Sequence, residues 1–524
     1  MLFNSYEFIL IYLPITITLF YIISKTSKDY SLYFLALMSL FFYSWWNPAY
    51  FFLIALSLTT NYTLGRLILT NIKKHNKFLF LILGITFNLG LLSYYKYSSL
   101  IVDIINDITS GDISLGNVIL PLAISFFTFQ QIAFLVDSTY EKIKSINFPD
   151  YVLFVSFFPQ LIAGPIVHYK EMIPQFSSLN TTETSKNLTI GITLFSIGLF
   201  KKVVFADSIS DYVSPIYDQA ATGNITFLQA WIAGVGFTLQ IYFDFSGYSD
   251  MALGIARMFG IILPINFNSP LKATSIIDFW SRWHITLTRF LRDYLYIPLG
   301  GNRRGTPRKF FNILVTMFIS GLWHGAGYQY LMWGSLHGFF ILLNHSWYIL
   351  LPNKLYKSKC YQKASKPIGV ILTLFMVSFS FLFFRAEDLT TGYRMASSMI
   401  GINGFSLPEG IYIKLDFLNQ YLKLLNITVD ATSGSQIVYG SLLTISLLFI
   451  ALVFPNSLDI MKNFKPALGY LETKKGVVNL LYYNKLKSLI IFKHSKLWAV
   501  IVGTSLAIGI MGIQQVSEFI YWQF

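Results

Sequence analysis

The chain is poor in charged residues and in cysteine, and both shortages restrict what it can be. Charged residues make up 12% of the 524 residues, whereas soluble domains carry about 25%. Hydrophobic residues reach 54%, so an ordinary water-facing surface cannot be built. The single cysteine, Cys360, excludes an intramolecular disulfide and a thiolate metal cluster.

Apolar runs recur along the whole chain and predict an all-α polytopic membrane protein with about twelve crossings. No Lys or Arg precedes the first run, so we expect a retained span rather than a signal peptide. The net charge of +14 marks cytoplasmic loops, and nucleic acid is not an expected partner. The positions of Lys and Arg predict both termini on the extracytoplasmic side. The predicted spans are about 8–24, 31–46, 49–66, 78–97, 117–136, 188–206, 226–243, two within 310–350, 367–384, 437–455 and 497–515.

No extended soluble region interrupts these spans, which predicts a single domain, 1–524, with a catalytic core at about 117–385. Residues 151–173 contain Pro159, Gly164 and Pro165, which break a helix. We expect a re-entrant pair of short helices there, with a kinked full span as the alternative.

Several chemical signatures are absent. The sequence has no HExxH or HxxxH pattern, so a metal is not expected. It has no Gly-x-Ser-x-Gly nucleophile motif. No half-to-half repeat of the kind found in many transporters is visible.

Two histidines are the candidate catalytic residues. His324 lies within a long apolar run, in the sequence Leu-Trp-His-Gly-Ala-Gly, and an ionisable group at membrane depth is a functional candidate. Neutral imidazole can accept a proton near neutral pH. His284 lies on a separate element. The alternative for a lone membrane histidine is an interhelical hydrogen bond.

The remaining histidines receive structural assignments. We expect interhelical hydrogen bonds for His337 and His345, near the inner end of the next span. We expect His75, His168 and His494 to be solvated, because they lie at loops or span ends.

Polar and aromatic residues near these histidines are candidates for lining a donor tunnel. Residues 279–296 read as one helix along the inner interface, with aromatic residues on one side and arginines away from it. The arginines can attract an anionic donor, although a positive-inside anchor explains most of their charge. Asp244 and Asp250, next to hydroxyls, line a polar cavity or cap a helix start. The donor or tunnel candidates are Asp244, Ser246, Arg282, Trp283, Arg289, Arg292 and Trp323.

Five segments in order resemble the membrane-bound O-acyltransferase (MBOAT) family, in the branch of the bacterial alginate O-acetyltransferase membrane subunit. They are residues 157–165, 242–250, 279–284, 296–302 and 321–326. The resemblance covers nearly the whole chain. It implies that His324 is the catalytic histidine and His284 the second characteristic histidine. It also implies a ring of tilted helices, with re-entrant and interfacial helices, around a central tunnel.

The resemblance further implies the reaction. A cytoplasmic acyl-thioester, expected to be acetyl-CoA, enters from inside, and no tightly bound cofactor is needed. A separate extracytoplasmic acyltransferase of the SGNH type then completes transfer to a polysaccharide such as alginate, peptidoglycan or cellulose. We therefore expect a bacterial inner-membrane O-acetyltransferase surrounded by lipid. D-alanyl transfer to teichoic acid and a non-catalytic transporter or channel are the alternatives.

The chain ends in aromatic residues that include Tyr521. This end resembles the tyrosine-containing C-terminal motif of related export acylation systems, which implies that Tyr521 is an acyl relay. A phenol has a pKa of about 10, so its ester is more reactive than a sugar ester. The alternative is an interfacial aromatic belt. The sequence has Trp-Gln after the tyrosine, where related motifs carry arginine.

Overall fold

Helices form most of the residues that the structure describes, because a backbone in lipid must satisfy its N–H and C=O groups within its own segment. The computed structural model describes residues 1–71, 73–114, 116, 118–179, 183–424, 427–430, 434–469, 490–513 and 520. The α-helices in these residues are α1 (Leu13–Ser24), α2 (Lys28–Ser44), α3 (Ala49–Thr70), α4 (Lys74–Leu92), α5 (Ser98–Thr109), α6 (Ile124–Thr139), α7 (Phe148–Ser156), α8 (Phe158–Leu161), α9 (Tyr169–Ser177), α10 (Thr184–Phe200), α11 (Ser208–Thr222), α12 (Phe227–Met258), α13 (Ile276–Trp280), α14 (Ile285–Leu291), α15 (Gly305–His324), α16 (Tyr328–Leu350), α17 (Asn353–Tyr356), α18 (Lys359–Arg385), α19 (Leu389–Met399), α20 (Glu409–Lys414), α21 (Asn419–Leu424), α22 (Gly434–Val453), α23 (Ser457–Ile460) and α24 (Lys496–Met511).

Shorter elements join these helices. Four π-helical turns occupy Glu7–Tyr12, Ser93–Tyr97, Lys201–Asp207 and Arg292–Tyr296. Short 3₁₀ turns lie at Pro270–Lys272, Asp416–Leu418 and Lys462–Phe464. Strands β1 (Phe405–Pro408) and β2 (Ile427–Asp430) form a two-stranded parallel sheet, with Phe405 opposite Ile427. This sheet lies within the long loop between α19 and α22, which the sequence pattern did not indicate.

The described helices confirm an all-α polytopic membrane protein. Six helical stretches are long and apolar enough to cross a membrane: Glu7–Ser24, Ala49–Thr70, Lys74–Thr109, Thr184–Thr222, Lys359–Arg385 and Gln436–Val453. Helix α12 is not among them, and almost all of its residues are buried. Its surroundings are therefore protein rather than lipid, which permits a more polar composition.

Helix α12 continues well past residue 243, where the predicted span ends. It runs without interruption to Met258 and packs closely against α10. A β-carbon at Gly198 would lie only 2.5 Å from the carbonyl oxygen of Gly247, so this crossing requires glycine. Asp250 therefore lies inside a helix, and the prediction that it caps a helix start is wrong.

The predicted break in residues 151–173 is confirmed. Helix α7 ends at Ser156, Phe157 has a non-helical backbone (φ −48°, ψ 106°), and α8 follows with Pro159 in its first turn. A β-carbon at Gly164 would collide with the backbone of Gln160. All residues from 151 to 169 are buried. The segment is thus a pair of short helices covered by protein.

Candidate active site

His324 is the last residue of α15, and it lies in a cage of aromatic rings. The side chain is buried, with 3% of the residue exposed. Ring centroids lie 4.9 Å away for Trp323, 4.9 Å for Trp333 and 5.2 Å for Phe384. A turn over residues 325–327 separates α15 from α16. The cage excludes bulk water and fixes the plane of the imidazole, as a proton-transfer site requires.

His284 does not lie within a continuous helix, so the prediction of one interfacial helix over residues 279–296 is wrong. The chain forms α13, then α14, and His284 stands between them with φ +42°. A non-glycine residue in this left-handed region costs about 1 kcal/mol or more. No glycine or proline marks the break, which is why the sequence pattern missed it.

Asn266 holds His284 in that conformation. Its backbone oxygen accepts from the Ile285 N–H at 2.9 Å. Its side-chain Oδ1 lies 3.1 Å from His284 Nδ1 and also accepts from the backbone N–H and the hydroxyl of Thr286, at 3.3 and 2.9 Å. A backbone N–H can only donate, so this atom is the amide oxygen. Neutral His284 is therefore protonated on Nδ1, and its Nε2 is the basic nitrogen.

The structure brings the two candidate histidines to the same place. His284 is fully buried, and its ring centroid lies 6.3 Å from that of Trp323, which in turn contacts His324. Phe245 of α12 lies on the other side of His284, at 4.8 Å. The Trp323 ring thus lies close to both imidazoles. This proximity is the main support for a shared role.

A cavity of about 540 Å³ lies between α13, α14, α15 and α16. From α15 it is lined by Lys309, Ile313, Thr316 and Met317. Residues three or four apart share one face of a helix, so Ser320 and His324 follow on the same face of α15, beyond the residues that line the cavity. Ser320 is fully buried, and its hydroxyl makes no hydrogen bond to any residue that the structure describes.

Aromatic rings complete the connection between cavity and histidine. Trp280 lines the cavity, and its ring lies 5.9 Å from Trp333 and 5.1 Å from His337. Trp333 then contacts His324 directly. A ligand that fills the cavity therefore reaches Trp280, and the ring of Trp333 connects Trp280 to His324, the candidate base.

The mouth of the cavity is basic and lies beside loops that share one face of the protein. Arg289, Arg292, Lys309 and His345 all line it. On this side of the protein, Lys142 lies in the loop after α6, and its Nζ is 5.9 Å from the ring of Tyr294.

The loop after α6 also contacts the first turn of α4. Glu141 accepts from Lys77 at 2.9 Å, and this hydrogen bond lowers the pKa of the Glu141 carboxyl. The mouth thus adjoins the loops whose charge predicts the cytoplasmic side.

The three predicted arginines occupy different environments. Arg282 bonds Asp278 at 2.7 Å and is not a lining residue of this cavity. Arg289 forms a bidentate pair with Glu171, at 2.6 and 3.0 Å. Arg292 pairs with its neighbour Asp293, and 60% of its side chain is exposed.

The two predicted tryptophans are core residues of the site. Trp283 is 3% exposed and packs against Phe279, Phe267 and Phe381, at 5.5, 5.1 and 5.7 Å. Trp323 stacks on Phe129 at 5.2 Å. Neither indole lines the cavity described above. Their assignment to the donor tunnel therefore stays a prediction.

Asp244 and Ser246 lie away from the basic cavity, in a buried ionic cluster on α12. Lys202 Nζ is 2.8 Å from Asp244 and 2.7 Å from Asp207. Lys201 pairs with Asp250 at 2.7 Å and donates to Ser246 at 3.4 Å. Both lysines lie within the predicted span 188–206. Asp244 and Ser246 belong to this cluster and neither lines the cavity described above, so their assignment to the donor tunnel stays a prediction.

The C-terminal segment reaches the same cluster. The backbone N–H of Ile520 donates to Asp244 Oδ2 at 3.0 Å, and Ile520 is buried. Tyr521 lies outside the described residues.

The other histidines divide into confirmed and corrected assignments. His337 Nε2 lies 2.8 Å from Ser380 Oγ on α18, and His345 Nδ1 accepts from Lys309 on α15 at 3.2 Å. Both interhelical bonds confirm the prediction. His168 was expected to be solvated, but it is 5% exposed and lies 3.0 Å from the Tyr294 hydroxyl. His75 and His494 are exposed, as predicted.

Comparisons with known proteins fit this geometry. Residues 38–384 match the model of the MBOAT, membrane-bound O-acyltransferase family. The chain is 40% identical to a peptidoglycan O-acetyltransferase of Helicobacter pylori over 449 residues, which cover 80% of this chain and 84% of that protein. It is 34% identical to a probable alginate O-acetylase of Pseudomonas aeruginosa, over 78% of this chain and 76% of that protein. A teichoic acid D-alanyltransferase of Bacillus subtilis is 27% identical over 52% of this chain and 70% of that protein.

Proposed function

Because the chain belongs to the membrane-bound O-acyltransferase family, we propose that it moves acetyl groups from cytoplasmic acetyl-CoA to the outside for O-acetylation of a polysaccharide. The chain is a multi-pass membrane acyltransferase. The observation that carries the proposal is the face of α15, which starts at the basic cavity mouth with Lys309 and ends at buried His324.

His324 is the general base in this mechanism. It takes the proton from the acceptor hydroxyl as that oxygen attacks the thioester carbonyl. The C–O bond forms, the C–S bond breaks, and the histidine returns its proton to the departing thiolate. His284, with Nε2 as its basic nitrogen, assists by orienting the thioester. The Ser320 hydroxyl, one turn before His324, supplies a donor for the acyl carbonyl.

The basic mouth attracts the phosphates of the donor. Lys309 and Arg292 supply cationic donors there, and a nucleotide phosphate accepts charge-assisted hydrogen bonds well. No tightly bound cofactor is required, since acetyl-CoA is a substrate. Because the donor binds at this mouth, the thiol product is released on the cytoplasmic side.

We assign the outward half of the reaction to the opposite face. The protein lies in the bacterial inner membrane with both termini extracytoplasmic. Tyr521 accepts the acetyl group as a phenyl ester and passes it to an SGNH-type acyltransferase partner. The contact between Ile520 and Asp244 supports this role, because it ties the residue before Tyr521 to the core.

The acceptor that we propose first is peptidoglycan, with alginate second. The identity of 40% to a peptidoglycan O-acetyltransferase, over most of both chains, favours this order. D-alanyl transfer has weaker support, because the D-alanyltransferase match covers only half of this chain.

A pair of variants tests the function. His324→Ala should lower thiol release from acetyl-CoA by purified protein about 10²–10⁴-fold, as loss of a general base does. His75→Ala, at an exposed position in the first turn of α4, is the matched control and should keep full activity. Near-normal glycan O-acetylation by His324→Ala in a deletion strain would refute the assignment.

A further inference from the structure

A second ionisable side chain lies at the end of α15. Lys96 is 8% exposed, and its Nζ donates to the backbone oxygens of Trp323 and His324 at 2.5 and 3.2 Å. Ser125 Oγ lies 3.5 Å from the same nitrogen. Lys96 lies within the predicted span 78–97, where the sequence pattern indicates no role for it.

The neighbouring residue makes a parallel contact. The hydroxyl of Tyr97 donates to the backbone oxygen of Leu322 at 2.9 Å. Three consecutive carbonyls at the end of α15 are therefore bound by two adjacent side chains of another helix. The last four carbonyls of any helix have no partner within it, so these contacts fill a defined need.

The backbone that follows α15 does not itself supply hydrogen-bond donors to these carbonyls. Glycine often ends a helix in the left-handed conformation, which lets the following N–H groups bond the last carbonyls. Gly325 is instead extended, with φ −165° and ψ 157°. The carbonyls of Leu322, Trp323 and His324 consequently depend on Lys96 and Tyr97.

A π-helical turn at Ser93–Tyr97 aims both side chains at α15. Such a turn inserts one residue into an α-helix and recurs at functional sites. One residue corresponds to a rotation of about 100° around the axis. Without the insertion, Lys96 and Tyr97 would face another neighbour.

The charge of Lys96 is matched by the helix end rather than by an acid. Among the ion pairs of the described residues, none involves Lys96. Burying an ammonium group costs several kcal/mol. The carbonyl end of a helix carries a partial charge of about −0.5 and favours a cation. A costly buried charge at this position indicates function.

We propose that Lys96 and Tyr97 are positioning residues of the acyltransferase site. They fix the carbonyl end of α15 and thereby the side chain of His324 relative to the thioester. This inference rests on the proposed function, because it assigns them to the work of His324. Misplacing a catalytic group by about 1 Å can cost a factor of about 100 in rate.

The test measures thiol release from acetyl-CoA by the purified full-length protein, with kcat and donor KM determined separately. Lys96→Met should lower kcat about 10- to 100-fold and leave the donor KM within about threefold, since the cavity mouth is untouched. Lys96→Arg restores a cationic donor and should recover kcat to within about tenfold of the wild type. Tyr97→Phe keeps the ring, loses one hydrogen bond and should lower kcat about two- to tenfold.

Tyr94→Phe is the matched control, because Tyr94 lies on the same π-helical turn but is 59% exposed. Its kcat should equal that of the wild type. If Lys96→Met does not fold, Tyr97→Phe and Lys96→Arg decide the question. Wild-type kcat in folded Lys96→Met or Tyr97→Phe, with His324→Ala inactive, would overturn the positioning role alone. An active His324→Ala would overturn the proposed function itself.

Discussion

The cavity mouth permits a prediction in which one cation is changed and another serves as its control. Lys309 lines the cavity and bonds no carboxylate among the described residues; its recorded partner is His345. Arg292 also lines the cavity but is paired with Asp293. Arg282 lies on the same segment as Arg292 and is not a lining residue of this cavity. Glutamine substitutions at the three positions remove one charge each.

The expected effects follow from exposure and existing partners. Lys309 is half-buried, and a hydrogen bond at such a partly exposed site contributes about 1–1.4 kcal/mol. That corresponds to about a five- to tenfold higher donor KM, since 1.4 kcal/mol is about tenfold. Arg292 is mostly exposed and already paired, so its contribution is about 0.3–0.8 kcal/mol, or about two- to fourfold. Arg282→Gln should leave the KM unchanged.

The assay is steady-state thiol release from acetyl-CoA at several salt concentrations. Lys309→Gln should keep kcat, because the cation acts in binding. Screening weakens charge attraction at higher ionic strength, so added salt should raise the wild-type KM and reduce the difference from Lys309→Gln. Equal KM values for all three variants and the wild type would assign these cations to membrane anchoring. A KM increase as large in Arg282→Gln would refute the cavity as the entrance.

Three further variants test the second histidine, the residue that holds it, and the C-terminal segment. His284→Ala should lower kcat about tenfold or more while the protein stays monodisperse, and a fall in expression alone would indicate a structural histidine. Asn266→Leu leaves the buried donors of His284 and Thr286 without their acceptor, at about 1–3 kcal/mol each; a thermal shift assay should show lower stability, and an unchanged midpoint would contradict the assigned geometry. Tyr521→Phe should insert normally and keep donor hydrolysis but lose glycan acetylation, and full acetylation would reduce the C-terminus to an anchor.

The sequence predicted the elements whose signals are local. The apolar runs gave the helical membrane class, and Pro159 and Gly164 gave the broken segment, because both residues act on the backbone at their own positions. The motifs around His324 and His284 gave the histidine pair.

Elements that depend on distant partners were not predictable. Lys96 and Lys202 lie within apolar runs, and a charge count treats lysine as a loop marker. Their partners, the end of α15 and Asp244, are far away in sequence. His168 was misassigned for the same reason, since its partner Tyr294 lies on another element.

The two ends of α15 differ in how firmly they are held. Near His324, the backbone of Gly321 contacts the Tyr330 carbonyl, where a β-carbon would collide; this brings α15 and α16 together one turn before the histidine. Lys96 binds the final carbonyls, and the aromatic cage covers the ring. At the other end, Lys309 and Arg292 are long, partly exposed side chains. Chemistry requires an exact position for the base and the thioester carbonyl, whereas phosphates need only be attracted. A thioester donor that enters at the Lys309 end of α15 therefore needs a rigid site at His324 and adaptable side chains at the mouth.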